Sequence, residues 1–310
     1  MKLFKNKDVK KIAGSIFLLL TLIVSIFLSY GNIENFNWRN IFDKSGVSNV
    51  TTQTYDAEMQ VHFLDVGKAD CAYIKCGDKH ILIDAADVET NNNVVEYLKR
   101  QCVPKFDLVV VSHPHRDHIG QMDKVINEFE IDRFIIPEIS DEIIPTSVTY
   151  EKMLKSLINC KVNVQHVTKG KNFLIGDMKI EIFGPINEYD NLNNNSIVSK
   201  ITYGNVGFLF TGDAEKQEEA DIINSGVDLK STILKVAHHG SNTSSTQKFL
   251  GKILPEYAVI SVGPDRSSLP KDPVLERLRK FGIKIYRTDL NGNIIFLTDG
   301  GKIDIVKERK

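Results

Sequence analysis

The stretch Ser112-His113-Pro114-His115-Arg116-Asp117-His118-Ile119-Gly120 closes an apolar, β-branched run at residues 107–112 (DLVVVS). Such a run reads as a buried strand that stops at His113. Alternate histidines just past a strand end put two imidazoles on one side of a loop, after which Asp117 and His118 turn toward a second position. Four nitrogen and oxygen donors packed this tightly suit two borderline-hard divalent ions side by side. Histidines at a strand end can merely cap or hydrogen-bond, but that reading leaves so dense a set unexplained. The chain has only eight histidines, and His113, His115, His118, His238 and His239 fall in two short places.

Two further strand ends carry matching residues. Residues 208–211 (FLFT) form another buried run, closed by Gly212-Asp213. Gly-Asp after a strand is by itself a common turn; beside the histidine loop, Asp213 becomes the natural anion for two metals to share. The third is Leu234-Lys235-Val236-Ala237-His238-His239-Gly240-Ser241. One histidine of the pair completes the shell of the second metal, and the other orients it or faces substrate. A water shared by two ions about 3.5–4 Å apart has a pKa lowered toward neutrality, so the expected chemistry is hydrolysis by a metal-bridging hydroxide. Asp117 and His118 are the candidate catalytic residues, with the Asp117 carboxylate able to accept the proton of the nucleophilic water. The donor set suits zinc or manganese.

Outward from these motifs, strand-like runs lie at 60–64, 71–75, 80–84, 107–112, 133–136, 162–167, 172–175, 179–183, 197–202, 206–211, 232–237, 257–262, 284–287 and 292–297. Helix-like segments at 93–100, 119–128, 150–159, 215–224 and 273–281 are interspersed in both halves. That order predicts an α+β fold, two sheets packed face to face with helices outside, rather than a doubly wound parallel sheet. Neither G-x-G-x-x-G after a strand nor G-x-x-x-x-G-K-[ST] is present, which argues against dinucleotide and P-loop readings.

Of 310 residues, 42% are hydrophobic and 25% charged, enough apolar content to fill a sizeable core without staples, and the net charge of −1 excludes a polybasic nucleic-acid coat. Cys71, Cys76, Cys102 and Cys160 make no C-x-x-C pair, and the offset of Cys71 from Cys76 points them to opposite faces of a strand, so they are not expected to bond to each other. Residues 12–30 (IAGSIFLLLTLIVSIFLSY) are uncharged and long enough to cross a bilayer as a helix. Lys2, Lys5, Lys7, Lys10 and Lys11 precede them, which predicts a cytoplasmic tail over 1–11, an uncleaved plasma-membrane anchor over 12–30 and an extracytoplasmic remainder. A cleaved signal peptide, leaving a secreted protein, is the alternative, although no small-x-small site follows. Residues 31–57 read as a polar linker and 58–310 as the globular domain. The portion beyond the anchor carries a charge of about −5.

At these residues the sequence resembles the metallo-β-lactamase fold superfamily and, within it, the extracytoplasmic metallo-β-lactamase-like domain of the ComEC competence proteins. The likeness runs from Met59 to the C-terminus. It rests on residues 62–67 (HFLDVG) with Asp70, 81–84 (ILID), the S-H-P-H-x-D-H-I-G loop, 195–198 (NSIV), 211–215 (TGDAE) and 238–241 (HHGS), then 257–263 (YAVISVG), 274–278 (VLERL) and 286–292 (YRTDLNG).

The resemblance implies an αββα sandwich with two divalent metals in a groove at one edge. His113 and His115 would hold the first, Asp117, His118 and one of His238/His239 the second, and Asp213 would bridge. Asn195 or Ser196 stands where the superfamily usually has a further histidine; together with Ser241 they are candidates for contact with metal or substrate. Asp84 would brace the histidine loop from behind. The multi-span channel of the ComEC proteins is replaced here by the single anchor, so DNA translocation is not expected of this chain. Two other departures are Leu269, where the branch has a histidine, and Lys68-Ala69-Asp70 in place of Gln-Gly-Asp. By resemblance the substrate is a phosphodiester, with extracellular DNA foremost. Lys169, Lys171 and Lys179 are the only cationic patch suggested for it, and lysines so spaced are commonly just solvated. Teichoic-acid or phosphorylcholine-type diesters, a β-lactam, and a metal-binding envelope protein without activity are the alternatives. The sequence names no protein partner.

Overall fold

The computed structural model describes residues 55–90, 92–263 and 268–309. The expected tail, the anchor at 12–30 and the linker up to residue 54 lie outside the described residues, among which no helix is long and apolar enough to cross a membrane.

The strands are β1 (Met59–Phe63), β2 (Ala72–Cys76), β3 (Lys79–Ile83), β4 (Lys105–Phe106), β5 (Leu108–Val110), β6 (Glu130–Ile131), β7 (Phe134–Pro137) and β8 (Val164–Val167), followed by β9 (Asn172–Ile175), β10 (Met178–Ile182), β11 (Ser199–Tyr203), β12 (Val206–Phe210), β13 (Ile233–Lys235), β14 (Tyr257–Ile260), β15 (Lys284–Arg287), β16 (Ile294–Thr298) and β17 (Ile303–Lys307). An eight-stranded sheet runs β17-β16-β1-β2-β3-β5-β7-β8 and a seven-stranded one β15-β14-β13-β12-β11-β10-β9, while β4 and β6 pair separately. The strands that lead into the histidine, aspartate and histidine-pair motifs run parallel to one another within each sheet, β5 to β3 and β7, β12 to β13 and β13 to β14, with β12 antiparallel only to β11. Their C-terminal ends are where side chains leave the ladder.

The helices are α1 (Val94–Arg100), α2 (Arg116–Ile119), α3 (Met122–Glu128), α4 (Val148–Asn159), α5 (Lys216–Asn224), α6 (Gln247–Ile253), α7 (Asp272–Lys280) and α8 (Thr288–Asn291). Core packing assigns the layers. Leu108 and Val110 point into the core between the sheets with Phe208, Phe210, Ile233 and Val259. Val109 points the other way, onto Leu98, Val125 and Met153 of the helices. Leu209, Leu234 and Ala258 face Ile222, Phe249 and Leu278 on the far side. Period-2 alternation therefore gives these strands two apolar faces, which is why they read as continuous apolar runs. Phe63 stacks on Phe210 across the sheets at 5.8 Å and meets Phe296 edge-on at 5.9 Å. Such aromatic pairs add about 0.5–1.5 kcal/mol each beyond burial. The αββα sandwich follows, as the sequence predicts. Cys71 and Cys76 belong to different sides of the first sheet, and all four cysteines are free.

The helix expected over 119–128 is instead two. Gly120 and Gln121 send their N–H groups to the carbonyls of Ala86 and Ala85 at 2.7 and 2.9 Å, so the chain pauses there. A Cβ on Gly120 would run into the backbone of Asp87 and Val88, which makes glycine obligatory. The sequence reading did not anticipate α6 or β17. The first starts at Thr246, whose Oγ1 accepts Phe249 N–H at 3.3 Å, after a polar loop that hides the periodicity. The second is a half-exposed edge strand with little apolar signal.

Candidate metal centre

His113, leaving the end of β5, is fully buried, and its Nε2 lies 2.9 Å from His115 Nδ1. The same Nε2 is 3.8 Å from Asp213 Oδ2. Asp213 comes from the end of β12 and presents its other oxygen, Oδ1, to His118 Nε2 at 3.3 Å and His239 Nε2 at 3.8 Å. His239 Nε2 is also 3.5 Å from Asp117 Oδ2. His113, His118 and Asp213 form one group whose donor atoms all lie within 4.8 Å of one another, and Asp117, His118 and His239 form another. A third group joins Asp70 and Asp84 to His118, whose Nδ1 is already bonded to Asp84 Oδ2 at 2.8 Å.

His118 Nε2, His239 Nε2 and Asp213 Oδ1 are buried with no hydrogen-bond partner among the described residues. An unpaired buried polar atom costs on the order of 1–3 kcal/mol, and three of them converging on one point is the arrangement that a cation relieves. The donor set therefore fits a divalent metal pair: His113, His115 and Asp213 on one side, Asp117, His118, His239 and Asp213 on the other.

The charges of the centre are consistent with that. Burial, with help from neighbouring imidazoles, pushes His113 and His115 below the usual histidine range. For His118 burial acts downward, but the carboxylates of Asp213 and Asp84 outweigh it and push the imidazole well up. Burial would raise Asp213 and Asp117; instead the facing histidines hold both well below the usual carboxylate range. Positive charge is wanted between these carboxylates.

Hydrogen bonds from behind aim the ligands. Asp84 accepts from Ser112 N–H and Oγ–H, each at 2.7 Å, and from His118 Nδ1–H, so one carboxylate fixes both the start of the histidine loop and a ligand. Gly212 approaches so closely that a Cβ would sit 2.8 Å from Ser112 Cβ, and its φ is +49°. His238 and His239 both have left-handed φ, 51° and 52°, in the turn Ala237–Gly240. Such backbone conformations cost on the order of 1–3 kcal/mol each and persist only where surroundings impose them. The result separates the pair: His239 is fully buried with Nε2 toward Asp117 and Asp213 Oδ1, while half-buried His238 has Nδ1 3.2 Å from Thr243 Oγ1 and 3.4 Å from Glu215 Oε1 and Nε2 3.8 Å from Asp213 Oδ2.

Ser196 Oγ accepts Asp213 N–H at 3.0 Å and lies 3.4 Å from His113 Nδ1, so it touches the centre. Asn195 does not reach it: its amide is taken up by Tyr189 N–H, Tyr189 O and Asn191 O. Ser241 sits beside Thr243 at 3.1 Å, at the rim. Leu269 is partly buried against the core under the second sheet. Lys179 is paired with Glu181 at 2.8 Å.

Several supports carry no role in the sequence reading. Lys235, almost fully buried, pairs with Asp70 Oδ2 at 2.7 Å beneath His239. Glu219, fully buried on α5, accepts the N–H groups of Ser245 and Thr246. Arg277 on α7 donates to Ser245 O and Ser244 O at 3.0 Å and to Asn242 Oδ1 at 3.2 Å. Together they clamp the loop that follows the histidine pair. The quoted VLERL motif held the only hint of this, since an arginine inside an amphipathic helix needs a partner.

A family profile described as the Metallo-beta-lactamase superfamily matches residues 64–263, and the chain belongs to that superfamily of metal-dependent hydrolases. Within it, ComE operon protein 3 of Bacillus subtilis is 26% identical over 260 residues, covering 77% of this chain and 33% of that protein. Competence protein ComA of Neisseria gonorrhoeae is 29% identical over 244 residues, covering 77% and 32%. The competence resemblance read from the motifs agrees with both, and the chain spans about a third of the length of these curated relatives. The metallo-beta-lactamase fold protein YhfI from Bacillus subtilis superposes with a TM-score of 0.52 over 77% of this chain and 98% of that one; at 12% identity this is a likeness of fold.

Proposed function

We propose that this chain is a phosphodiesterase, with DNA as its first candidate substrate, held at the outer face of the plasma membrane by residues 12–30. What carries the reading is the convergence of unpartnered donor atoms on Asp213, which gives a two-cation hydrolase site. The competence relatives support DNA as substrate. When bound, a zinc or manganese pair lowers the pKa of water and stabilises charge on the phosphoryl and leaving oxygens. Asp213, with one oxygen toward His113 and the other toward His118 and His239, would be the carboxylate shared by the two metals. Asp117 would accept the proton of the attacking water, and Asp84, accepting His118 Nδ1–H, leaves Nε2 for a metal.

A second reading, a small phosphodiester of the cell envelope such as a teichoic-acid unit, draws on the charge of about −5 beyond residue 30. Long nucleic acid needs a cationic track for its phosphates, and Lys179 is already paired.

The test is metal analysis and bis-p-nitrophenyl phosphate hydrolysis with added manganese or zinc, followed by DNA against wall polymer. The Asp117→Ala/His118→Ala double variant should lose turnover while remaining folded. Undiminished hydrolysis by that variant refutes the assignment, and an inactive, metal-loaded wild type would leave a binding protein only.

A further inference from the structure

A cleft of about 620 Å³ opens beside Asp117, lined among others by Asp65, Gly67, Lys68, Asp87, Glu89 and Arg116. Most of its charges are mutually spent. Arg116 pairs with Asp87 at 3.2 Å and Glu89 at 3.0 Å, and Asp65 pairs with Arg309. Lys68 differs. Its Nζ lies 3.3 Å from Asp117 Oδ2, the same oxygen that faces His239 Nε2 at 3.5 Å, and its side chain is 31% exposed. Among the described residues this is the ion pair Lys68 makes, and its partner is a candidate metal ligand. The loop is held in place: Gly67 has a φ of +77°, and a Cβ on Gly263 would lie 2.5 Å from Gly67 Cα and 3.0 Å from Lys68 N.

We propose that Lys68 is a specificity-determining residue that binds a non-bridging oxygen of an anionic phosphoryl group in this cleft. The inference rests on the two-cation phosphodiesterase reading and adds to it the group that recognises the substrate's charge. The Lys68 ammonium lies against Asp117 and offsets its charge. Once Asp117 is committed to a divalent cation, two positive charges compete for one carboxylate, and the mobile one gives way. Lysine suits the task, being a point charge with three donors on a flexible four-carbon stem. Turned to the cleft, it meets an anion beside the catalytic centre. A phosphodiester gains from that contact, whereas an uncharged ester or amide does not.

The experiment compares the full chain with Lys68→Met, which keeps length but not charge, and Lys68→Arg. Calorimetric titration of inorganic phosphate into the metal-loaded proteins should show binding about tenfold or more weaker in Lys68→Met, the loss expected for one charge-assisted hydrogen bond, with Lys68→Arg restoring most of it. Zinc titration into the metal-free proteins should show tighter binding by Lys68→Met, because its competitor for Asp117 is gone. With bis-p-nitrophenyl phosphate, KM should rise more than kcat falls. Equal phosphate affinity in wild type and Lys68→Met overturns the role of Lys68 even if the diester is hydrolysed. A wild type that binds phosphate through Lys68 but cleaves no diester overturns the phosphodiesterase reading and leaves the anion subsite standing.

Discussion

His239 donates its Nδ1 proton to the main-chain carbonyl of Ser261 across 2.9 Å. A carbonyl only accepts, so Nδ1 carries a proton, and in the neutral ring Nε2, which faces Asp117 and Asp213, is the nitrogen left to a metal. Ser261 directly follows β14, the parallel neighbour of β13, so one strand delivers the ligand and the next orients it. His238, one residue earlier, is half-buried: its Nδ1 meets Thr243 Oγ1 and Glu215 Oε1, and its Nε2 lies 3.8 Å from Asp213 Oδ2.

The two histidines should therefore separate in a metal assay. His239→Ala, which removes a fully buried nitrogen shared by Asp117 and Asp213, is expected to lose one of two bound ions or bind it at least about tenfold more weakly, while His238→Ala, which removes a half-buried nitrogen facing Asp213, costs less. Equal metal content in the two variants, measured by mass spectrometry of dialysed protein, sinks the distinction.

Asp84 is expected to matter without touching a metal. In Asp84→Asn one acceptor oxygen is replaced by an amide donor facing Ser112 and His118. Metal affinity should fall about 10–100-fold, as for other partners that orient metal-bound histidines. Competition with a chelator reads the change, and an unaltered affinity would contradict the bracing role.

Glu219 should be worth more to stability than its place on a surface helix suggests. Glu219→Ala leaves the N–H groups of Ser245 and Thr246 without their acceptor in a buried place, at about 1–3 kcal/mol each. Glu219→Gln retains one acceptor oxygen and should lose less. Urea denaturation ranks them, and equal midpoints for the two variants would remove the clamp.

Glu218, next to it, gives a pH signature. It is fully buried, neither carboxylate oxygen has a hydrogen-bond partner among the described residues, and a Cβ on Gly184 would run into Oε1. Burial pushes its pKa well up, reinforced by the charges of Glu219 and Asp221. A carboxyl whose folded pKa is raised contributes its full stability below the unfolded value of 4.5 and loses it as pH climbs through the folded value. The slope is at most about 1.4 kcal/mol per pH unit. Glu218→Gln cannot ionise, so its stability relative to wild type should improve from pH 5 to pH 8. A constant gap between the two denaturation midpoints over that range is the disproof.

The fold was legible where burial is two-sided. Residues 107–112, 206–211 and 232–237 read as strands because both faces are apolar, even though the hydrogen-bonded ladders span only Leu108–Val110, Val206–Phe210 and Ile233–Lys235. Elements with weak apolar contrast escaped: α6 behind its hydroxyl-rich loop, β17 at a half-exposed edge, and the break at Gly120, where backbone contact overrides helical periodicity.

For the candidate site, the sequence by itself determined the donor inventory, because His113, His115, Asp117 and His118 are local to one loop and Asp213 ends a buried run. Only the tertiary structure decided which donors converge. It buried His239 fully and left His238 half-buried, set Ser196 rather than Asn195 against Asp213, and brought Lys68 to Asp117 and Glu219 to the loop after Gly240. The reason is that chain order fixes where a side chain begins, while its direction depends on the acceptor it meets, and those acceptors lie on other strands.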